Sequence, residues 1–372
     1  YRIMNIIGPN SNEIIFSRTA GDIVVTDIPS GPLFEVYFAY EGRRFGFEAR
    51  AYNGKYTLHL SEVLKALEAN TTAPDVPPGG SVNIYPKTLT IEFLLGEELE
   101  ASRVIHWIPG YCKANSSAVS QLMNSGFWWT MRPQTAYTYA WSREILQLAL
   151  PEYYDQVDIY VDIHFAEYGK KRLQYLTIEA DEPDAHLVAI DVSYKHIEEL
   201  AYRSEYVDGH ILAYDVLGVA GGEEDFPIGQ RFIVAPKNRN VRGWYFRNSL
   251  GAFDTVYSFG SFARALESEA KTFTTNKKEL ELSNITKETF SVDTGYIKNE
   301  KELNLWYEFL RSTERYIILS DSEVARIVVD ESDSEKTLNE AGSISFRCRM
   351  SEEVEGYDFS KSRLEDFSDG FT

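Results

Sequence analysis

A chain of 372 residues, 44% hydrophobic and 25% charged, has the composition of a folded protein and room for two or three domains. Its formal net charge of −20 argues against bare nucleic acid and anionic membrane surfaces as partners, because both need clustered lysine and arginine. With Cys112 and Cys348 as its only cysteines it has no dense disulfide framework, which leaves two buried thiols or a single bridge.

No run reaches the ~18 apolar residues of a membrane span, so membrane insertion is not expected. The first nine residues are too short, and too early broken by Gly8-Pro9, for a signal peptide; the missing initial Met leaves room for an upstream segment. Tyr (24) and Phe (21) are abundant and Met (4) is scarce, a bias that suits sheets, where aromatic side chains pack against cross-strand neighbours.

Residues 13–60 read as strands. The run 33–40 alternates, Glu41-Gly42 turns, and 43–49 returns; Asn53-Gly54 is a second hairpin signal. Ser61 is placed to cap a short helix over 62–68, with Val63, Leu64 and Leu67 on one face. Residues 70–80, rich in Pro and Gly, read as a linker, and strand character resumes over 88–108. Residues 109–150 have no clean period but hold Trp128, Trp129 and Trp141.

An internal repeat follows. The heptad 38–44 (FAYEGRR) resembles 165–171 (FAEYGKK): in each, an alternating strand feeds an acidic, Gly-containing, doubly basic turn. A second strand, a turn, a third strand and a short amphipathic helix (62–68 and 194–201) come next in both copies. That order predicts a duplicated sandwich-like unit, the alternative being two unrelated meanders with common turns. Strands are then expected over 207–217, 231–235, 291–297, 316–319, 324–329 and 344–350. Residues 261–285 read as polar with alternating charge. A helix is expected over 300–311, where Leu303, Trp306, Tyr307 and Leu310 share a face. The tail 351–372 is acidic and polar, either disordered or an arm that orders on a neighbour.

Catalytic signatures are not assembled in this sequence. There is no phosphate-binding GxxxxGK[ST] and no GxSxG elbow; residues 218–222 (GVAGG) follow a strand but open no helix, and Ser249 sits among turn formers. The six histidines are dispersed. His164 shares a strand face with Asp162, yet a metal or acid–base site there lacks a third ligand, so a structural histidine is the simpler reading. Asp158 lies on the same strand. The acidic stretch 330–335 lacks the glycine and terminal glutamate of a calcium loop and reads as a solvated turn. No cofactor and no metal are expected. Phe127, Trp128, Trp129 and Trp141 suggest either a sugar-stacking platform or core and interface packing.

One stretch carries a family resemblance. Residues 243–255 (GWYFRNSLGAFDT) run from an aromatic strand into an N-S-L-G-A-x-D-T turn, which resembles tail proteins of Bacteroidetes phages and prophages, with Ala252 where a second Gly is usual. Thr294-Gly295-Tyr296-Ile297, the helix with Trp306 and Leu310, the strand from Tyr316 and the closing Ser345-Phe346-Arg347 are similar too, as is the N-terminal stretch through Asn53-Gly54 to a short helix. The resemblance implies a non-enzymatic virion structural protein of the tail tip or baseplate. Such a protein assembles in the bacterial host cytoplasm as a homo-oligomer or with other tail proteins. It carries over no site residues. The turn can present Trp244 to Phe246 as one arm of a hairpin, in a core or at an interface.

The expectation is therefore a mainly β protein. Residues 1–108 form a β-sandwich-like domain, 109–150 an aromatic-rich connection, 151–218 a second related unit, 219–350 a β-rich region with one amphipathic helix, and 351–372 an acidic tail. The expected interaction surface is Trp128, Trp129, Trp141, Trp244 and Phe246. The alternative function is an extracellular or cell-surface glycan-binding protein.

Overall fold

The computed structural model describes residues 4–9, 13–28, 33–68, 73–112, 119, 128–150, 156–179, 186–206, 209–220, 229–236, 240–275, 278–320, 323–333 and 342–351, with the backbone alone at 220 and 266–287. In chain order, the first part holds β1 (Asn5–Ile7), β2 (Ile14–Phe16), β3 (Ile23–Thr26), β4 (Phe34–Tyr40), β5 (Arg43–Ala49), β6 (Tyr56–Leu58), α1 (Leu60–Glu68), β7 (Ser81–Ile84), β8 (Lys87–Leu95) and β9 (Glu98–Ile108). The middle part holds β10 (Thr135–Thr138), β11 (Ile145–Leu150), β12 (Gln156–Phe165), β13 (Gly169–Glu179), β14 (His186–Asp191), α2 (Tyr194–Arg203), β15 (Ile211–Ala220) and β16 (Gln230–Val234). The last part holds β17 (Arg242–Arg247), β18 (Phe253–Ser258), β19 (Phe262–Thr275), β20 (Lys278–Asp293), α3 (Glu300–Arg311), β21 (Arg315–Ile318), β22 (Val324–Asp333) and β23 (Ser345–Met350).

The protein is mainly β, with two related sandwiches in tandem. In the first, the sheet β2-β9-β8-β4-β5 faces the sheet β1-β3-β6; in the second, β10-β16-β15-β12-β13 faces β11-β14-β7. The two five-stranded sheets have the same order, and each has one parallel pair at the same place, β2 with β9 and β10 with β16. The likeness extends well beyond the strand–turn–strand–helix segment visible in the sequence. The first of the hairpins that revealed it is tight for a backbone reason: Glu41 (φ 47°) and Gly42 (φ 73°) both take the left-handed region that a two-residue turn of matching twist demands.

Alternation sets each core. Phe34, Val36, Phe38 and Tyr40 of β4 point inward between half-exposed neighbours, and with Ile23, Val25, Leu64 and Trp107 they fill the first core. Val157, Ile159, Val161 and Ile163 of β12, with Leu146, Leu148, Val188 and Ile190, fill the second. α1 starts at Leu60, so Ser61 lies inside its first turn and not at its cap. α3 matches its expected span and is capped by Asn299, whose side chain accepts from the Glu302 amide.

The third part is a seven-stranded antiparallel sheet, β18-β17-β21-β22-β23-β20-β19, with α3 packed on it through Trp306 and Phe309 against Trp244, Phe246 and Phe346. Residues 261–285, read as merely polar, are here most of a long hairpin. β19 and β20 pair from Phe262 and Val292 out to Thr275 and Lys278, whereas β23 pairs with β20 only over Thr289–Asp293. The outer part is thus a two-stranded ribbon, about 30 Å long at ~3.4 Å per residue. The sequence there is mostly polar and charged, which is why its strands did not stand out.

The expected boundaries need three corrections. Residues 109–150 are not only a connection, since they supply β10 and β11 to the second sandwich. β16 also belongs to that sandwich, beyond the expected limit at 218. β7, within 1–108, pairs with β14 of the other unit. β11 escaped detection because it is buried on both faces. Leu146, Leu148 and Leu150 enter the second core while Ile145 and Ala149 face the third part, so the run shows no period of two.

Candidate functional site

The densest gathering of functional groups lies where the sheet β11-β14-β7 meets β17 and β18, and the turn 248–251 is its hub. Asn248 organises that turn: its Oδ1 accepts from the amides of Leu250 (3.0 Å) and Ala252 (3.1 Å), and its Nδ2 donates to Asp254 Oδ2 (2.8 Å). Gly251 has φ 86°, and a Cβ there would lie 1.7 Å from the Pro109 carbonyl oxygen, so neither backbone nor space admits a side chain. The Ser249 carbonyl accepts from the amides of Tyr111 and Cys112, and the Ser249 amide donates to Glu308 of α3 (2.8 Å). Ala252 is buried among Phe16, Ile108, Trp129, Ala149 and Leu187. One turn thus touches all three parts of the chain.

Beneath it sits a buried charge cluster. Arg132 donates to Glu144 Oε2 (3.0 Å), to Thr255 Oγ1 (2.9 Å) and to the Ile145 carbonyl (3.1 Å), and lies 3.3 Å from Asp254 Oδ1. Asp254 also accepts from the Met131 amide (2.7 Å) and from Thr130. Tyr257 donates to Glu144 and contacts Ser142. Burial pushes Glu144 above the usual carboxylate range, and Arg132 offsets only part of that; burial and the Glu144 charge together drive Tyr257 well above its ordinary value. The side chains of Arg132, Glu144 and Asp254 are 1% exposed or less, so no substrate reaches them in this conformation. Chemically the cluster clamps two sheets together. A second clamp, Arg247 Nε to Glu314 Oε2 (2.6 Å) with Tyr316 donating to Glu314, closes the neighbouring strands.

The expected interaction residues do not form one surface. Trp129, Trp244 and Phe246 are core residues, at 1%, 0% and 0% exposure, and that part of the expectation is corrected. Trp244 and Phe246 lie on the face of β17 that α3 covers, and Trp129 is wedged against Phe16. Trp128 bridges Leu148 and packs on the second core, and Trp141 packs on Tyr139 and Tyr257; both are half-buried. Phe127 lies outside the described residues. The aromatic hairpin β17–β18 belongs to a core, because apolar groups from two other elements cover both of its faces.

Asp162 and His164 do share a face, the outer face of the second five-stranded sheet. There Asp162 is held by Arg172 (2.7 Å) and Lys170 (2.7 Å), and Asp215 by Arg231 (2.6 Å) and His164 (2.8 Å). Burial raises both carboxylates, but these bonds outweigh it and hold each below the usual range. Asp158 accepts from Gln174 and Thr177 in the same ladder. Cys112 and Cys348 are unbridged, and burial pushes the Cys348 thiol up to about 12. Ser249 is a turn residue. Residues 221 and 222, and 334 and 335 of the acidic stretch, lie outside the described residues, while 330–333 continue β22. Among the described residues no group of three or more His, Cys, Asp or Glu is placed to hold a metal, and no helix is long and apolar enough to cross a membrane.

An open groove at the root of the ribbon is lined by Ser261, Ser291, Asp293, Glu331, Ser345 and Arg347. Asp293 there accepts from the Gly295 amide and from Ser343 and Ser345. Sequence reasoning missed both the Arg132–Glu144–Asp254 cluster and this groove. Only the D-T of residues 254–255 marked the first, and nothing marked the second.

No protein family matches the chain, and no curated protein matches it. Similar solved structures include the extracellular domains 3–5 of Drosophila OTK, at 8% identity and a TM-score of 0.21, covering 88% of this chain and 96% of that one. Dpr2 Ig1–Ig2 in complex with DIP-Theta Ig1–Ig3 is similar at 8% identity and 0.19, covering 94% and 89%. A 1.5-MDa bacterial ice-binding adhesin is similar at 8% and 0.15, covering 78% and 92%. Scores this low establish no shared arrangement of elements, and no function is taken from them.

Proposed function

We propose that the chain is a non-enzymatic structural protein of a bacteriophage or prophage tail, at the tip or baseplate, acting through protein–protein assembly. The observation that carries this reading is the β19–β20 ribbon. Among the described residues it runs beyond its last pairing with β23 as two strands only, and a two-stranded ribbon in water gains little stability unless something else adds to it. Among the same residues β19 is the outer strand of its sheet, and such an edge is a template for pairing with another chain. The buried clamps around Arg132 and Arg247 support the same reading, because they spend ionisable groups on holding sheets together. The resemblance of residues 243–255 adds the tail context and the virion location.

Sedimentation velocity on the intact chain tests it. A defined homo-oligomer is expected, reverting to smaller species when residues 268–286, between the paired Glu267 and Lys287, are replaced by a two-residue turn. A particle that stays monomeric at its highest soluble concentration, alone and with the products of neighbouring tail genes, overturns the proposal. Glycan binding has less support here, since Trp129 is buried and Trp128 and Trp141 already pack on protein.

A further inference from the structure

β5 is the outer strand of its five-stranded sheet, and among the described residues no strand lies beyond it. Residues 43–48 are exposed one after another, so this edge is open to solvent. The turn before it decides which backbone groups the edge offers. Tyr40 and Arg43 close a two-residue turn and so exchange both of their hydrogen bonds. Alternation then gives the backbone groups of Phe45 and Phe47 to β4, and aims the amides and carbonyls of Arg44, Gly46 and Glu48 at the open edge.

The side chains along this edge are matched about Gly46. Phe45 and Phe47 flank it on the inner face, where they pack on Phe38. Yet they are 43% and 44% exposed, a large fraction for rings on the core side of a sandwich. Arg44 and Glu48 flank it on the outer face. Arg44 meets Glu92 (2.9 Å) and is still 53% exposed. Glu48 stands directly opposite Glu35, a like-charge pair that a cation from outside would relieve. Gly46 itself has no room for a side chain, since a Cβ would lie 2.6 Å from the Tyr37 ring, so nothing projects at the centre.

We propose that β5 pairs antiparallel with β5 of a second copy across a twofold axis at Gly46, joining two five-stranded sheets into one continuous sheet. In that register Gly46 meets Gly46, and Arg44 of each copy meets Glu48 of the other. Both are hydrogen-bonded pairs, built from the backbone groups that face the edge. Phe45 of each copy meets Phe47 of the other as a non-hydrogen-bonded pair, the kind that brings side chains closest. Other registers lose the match. Centring on Phe45 sets Arg44 against Gly46, and centring on Phe47 sets Arg44 against Arg50. The contact goes beyond the β19–β20 ribbon, which lies in another part of the chain, and does not depend on it.

Sedimentation velocity on the full chain with charge reversals tests the contact. Arg44→Glu and Glu48→Arg should each weaken this association at least about tenfold, because two like-charge pairs replace two opposite ones. Each should therefore halve the mass of the native species. An equimolar mixture of the two variants should restore the native mass, since every facing pair is again opposite. The chain carrying both changes should restore it too, and either recovery shows that the variants fold. A mass that neither single variant changes, or no recovery on mixing, overturns the proposal. A mass unchanged by the charge reversals but lowered when residues 268–286 are replaced overturns this contact and leaves the ribbon contact standing.

Discussion

The two sandwiches are built to one plan and finished differently. In the first, the small sheet has one face on its core, and its strands β3 and β6 are short and partly exposed. In the second, β11 and β14 are buried at every residue, because the seven-stranded sheet packs on the side away from the second core. Topology thus does not determine how a strand reads. Ile23-Val24-Val25-Thr26 alternates buried and half-buried, while Ile145-Leu146-Gln147-Leu148-Ala149-Leu150, in the same position, is a continuous buried run. The second sandwich packs its small sheet on the third part, while the first meets that part through Phe16, Ile108 and Arg18.

The largest test of that contrast is the clamp. Arg132→Met should destabilise the fold by about 3–5 kcal/mol, since it leaves Glu144 and Asp254 buried without their counter-ion. Arg44, which pairs with Glu92 (2.9 Å) on the outer face of the first sandwich, is 53% exposed. Arg44→Met should cost no more than about 1 kcal/mol. Chemical denaturation of both variants measures the difference, and equal losses would break the comparison.

Core truncation should give a smaller gap. Leu148→Ala removes a buried side chain that cannot be re-covered from either face, with about 2–5 kcal/mol expected. Val25→Ala at the matching position should lie at or below the low end of that range, because fewer methyl groups are lost. A greater loss at Val25 would place the less forgiving core in the first unit.

The smallest effect concerns pH. Asp191 accepts from the amide of Ser193, the residue just before α2, and His196 Nε2 lies 3.3 Å from it; the hydrogen bond to Asp191 raises His196 above its ordinary value. A raised histidine contributes stability that is fully present below its unfolded value near 6.5 and is lost as pH rises through its higher folded value. Burial raises Asp191, but the bonds from His196 and Ser193 outweigh it and lower it below 3.8, so its contribution is lost only in acid, as pH falls through that folded value. The stability difference between native protein and His196→Gln should therefore shrink on going from pH 6 to pH 9, by under about 1 kcal/mol. A difference that does not change between pH 6 and pH 9 would remove this pH-dependent support from the second sandwich.

Much of the site was hidden from sequence reasoning for a physical reason. The turn 248–255 was visible, because Asn and Gly at left-handed or side-chain-braced positions are local requirements. Its partners were not. Arg132, Glu144 and Tyr257 are separated from Asp254 by up to 122 positions and by no regular spacing, and only the packing of two sheets brings them into hydrogen-bond range. The tryptophans were read as surface candidates on composition alone. A ring's fate depends on what packs over it, which no local pattern records.

By itself the sequence determined the local elements: the two-residue turns at 41–42 and 53–54, the helix over 300–311, the inward rows of β4 and β12, and the repeat that ties the first two units together. These follow from backbone dihedrals and from periods of 2 and 3.6 residues, which neighbours in the chain encode. The tertiary structure decided the rest. It decided that β7 crosses to the other sandwich, that β11 and β14 are sheltered on both faces, and that Asp254 meets Arg132. It also decided that Phe45 and Phe47 stand uncovered. Each of these depends on which sheet lies against which, and that is settled by burial summed over distant residues.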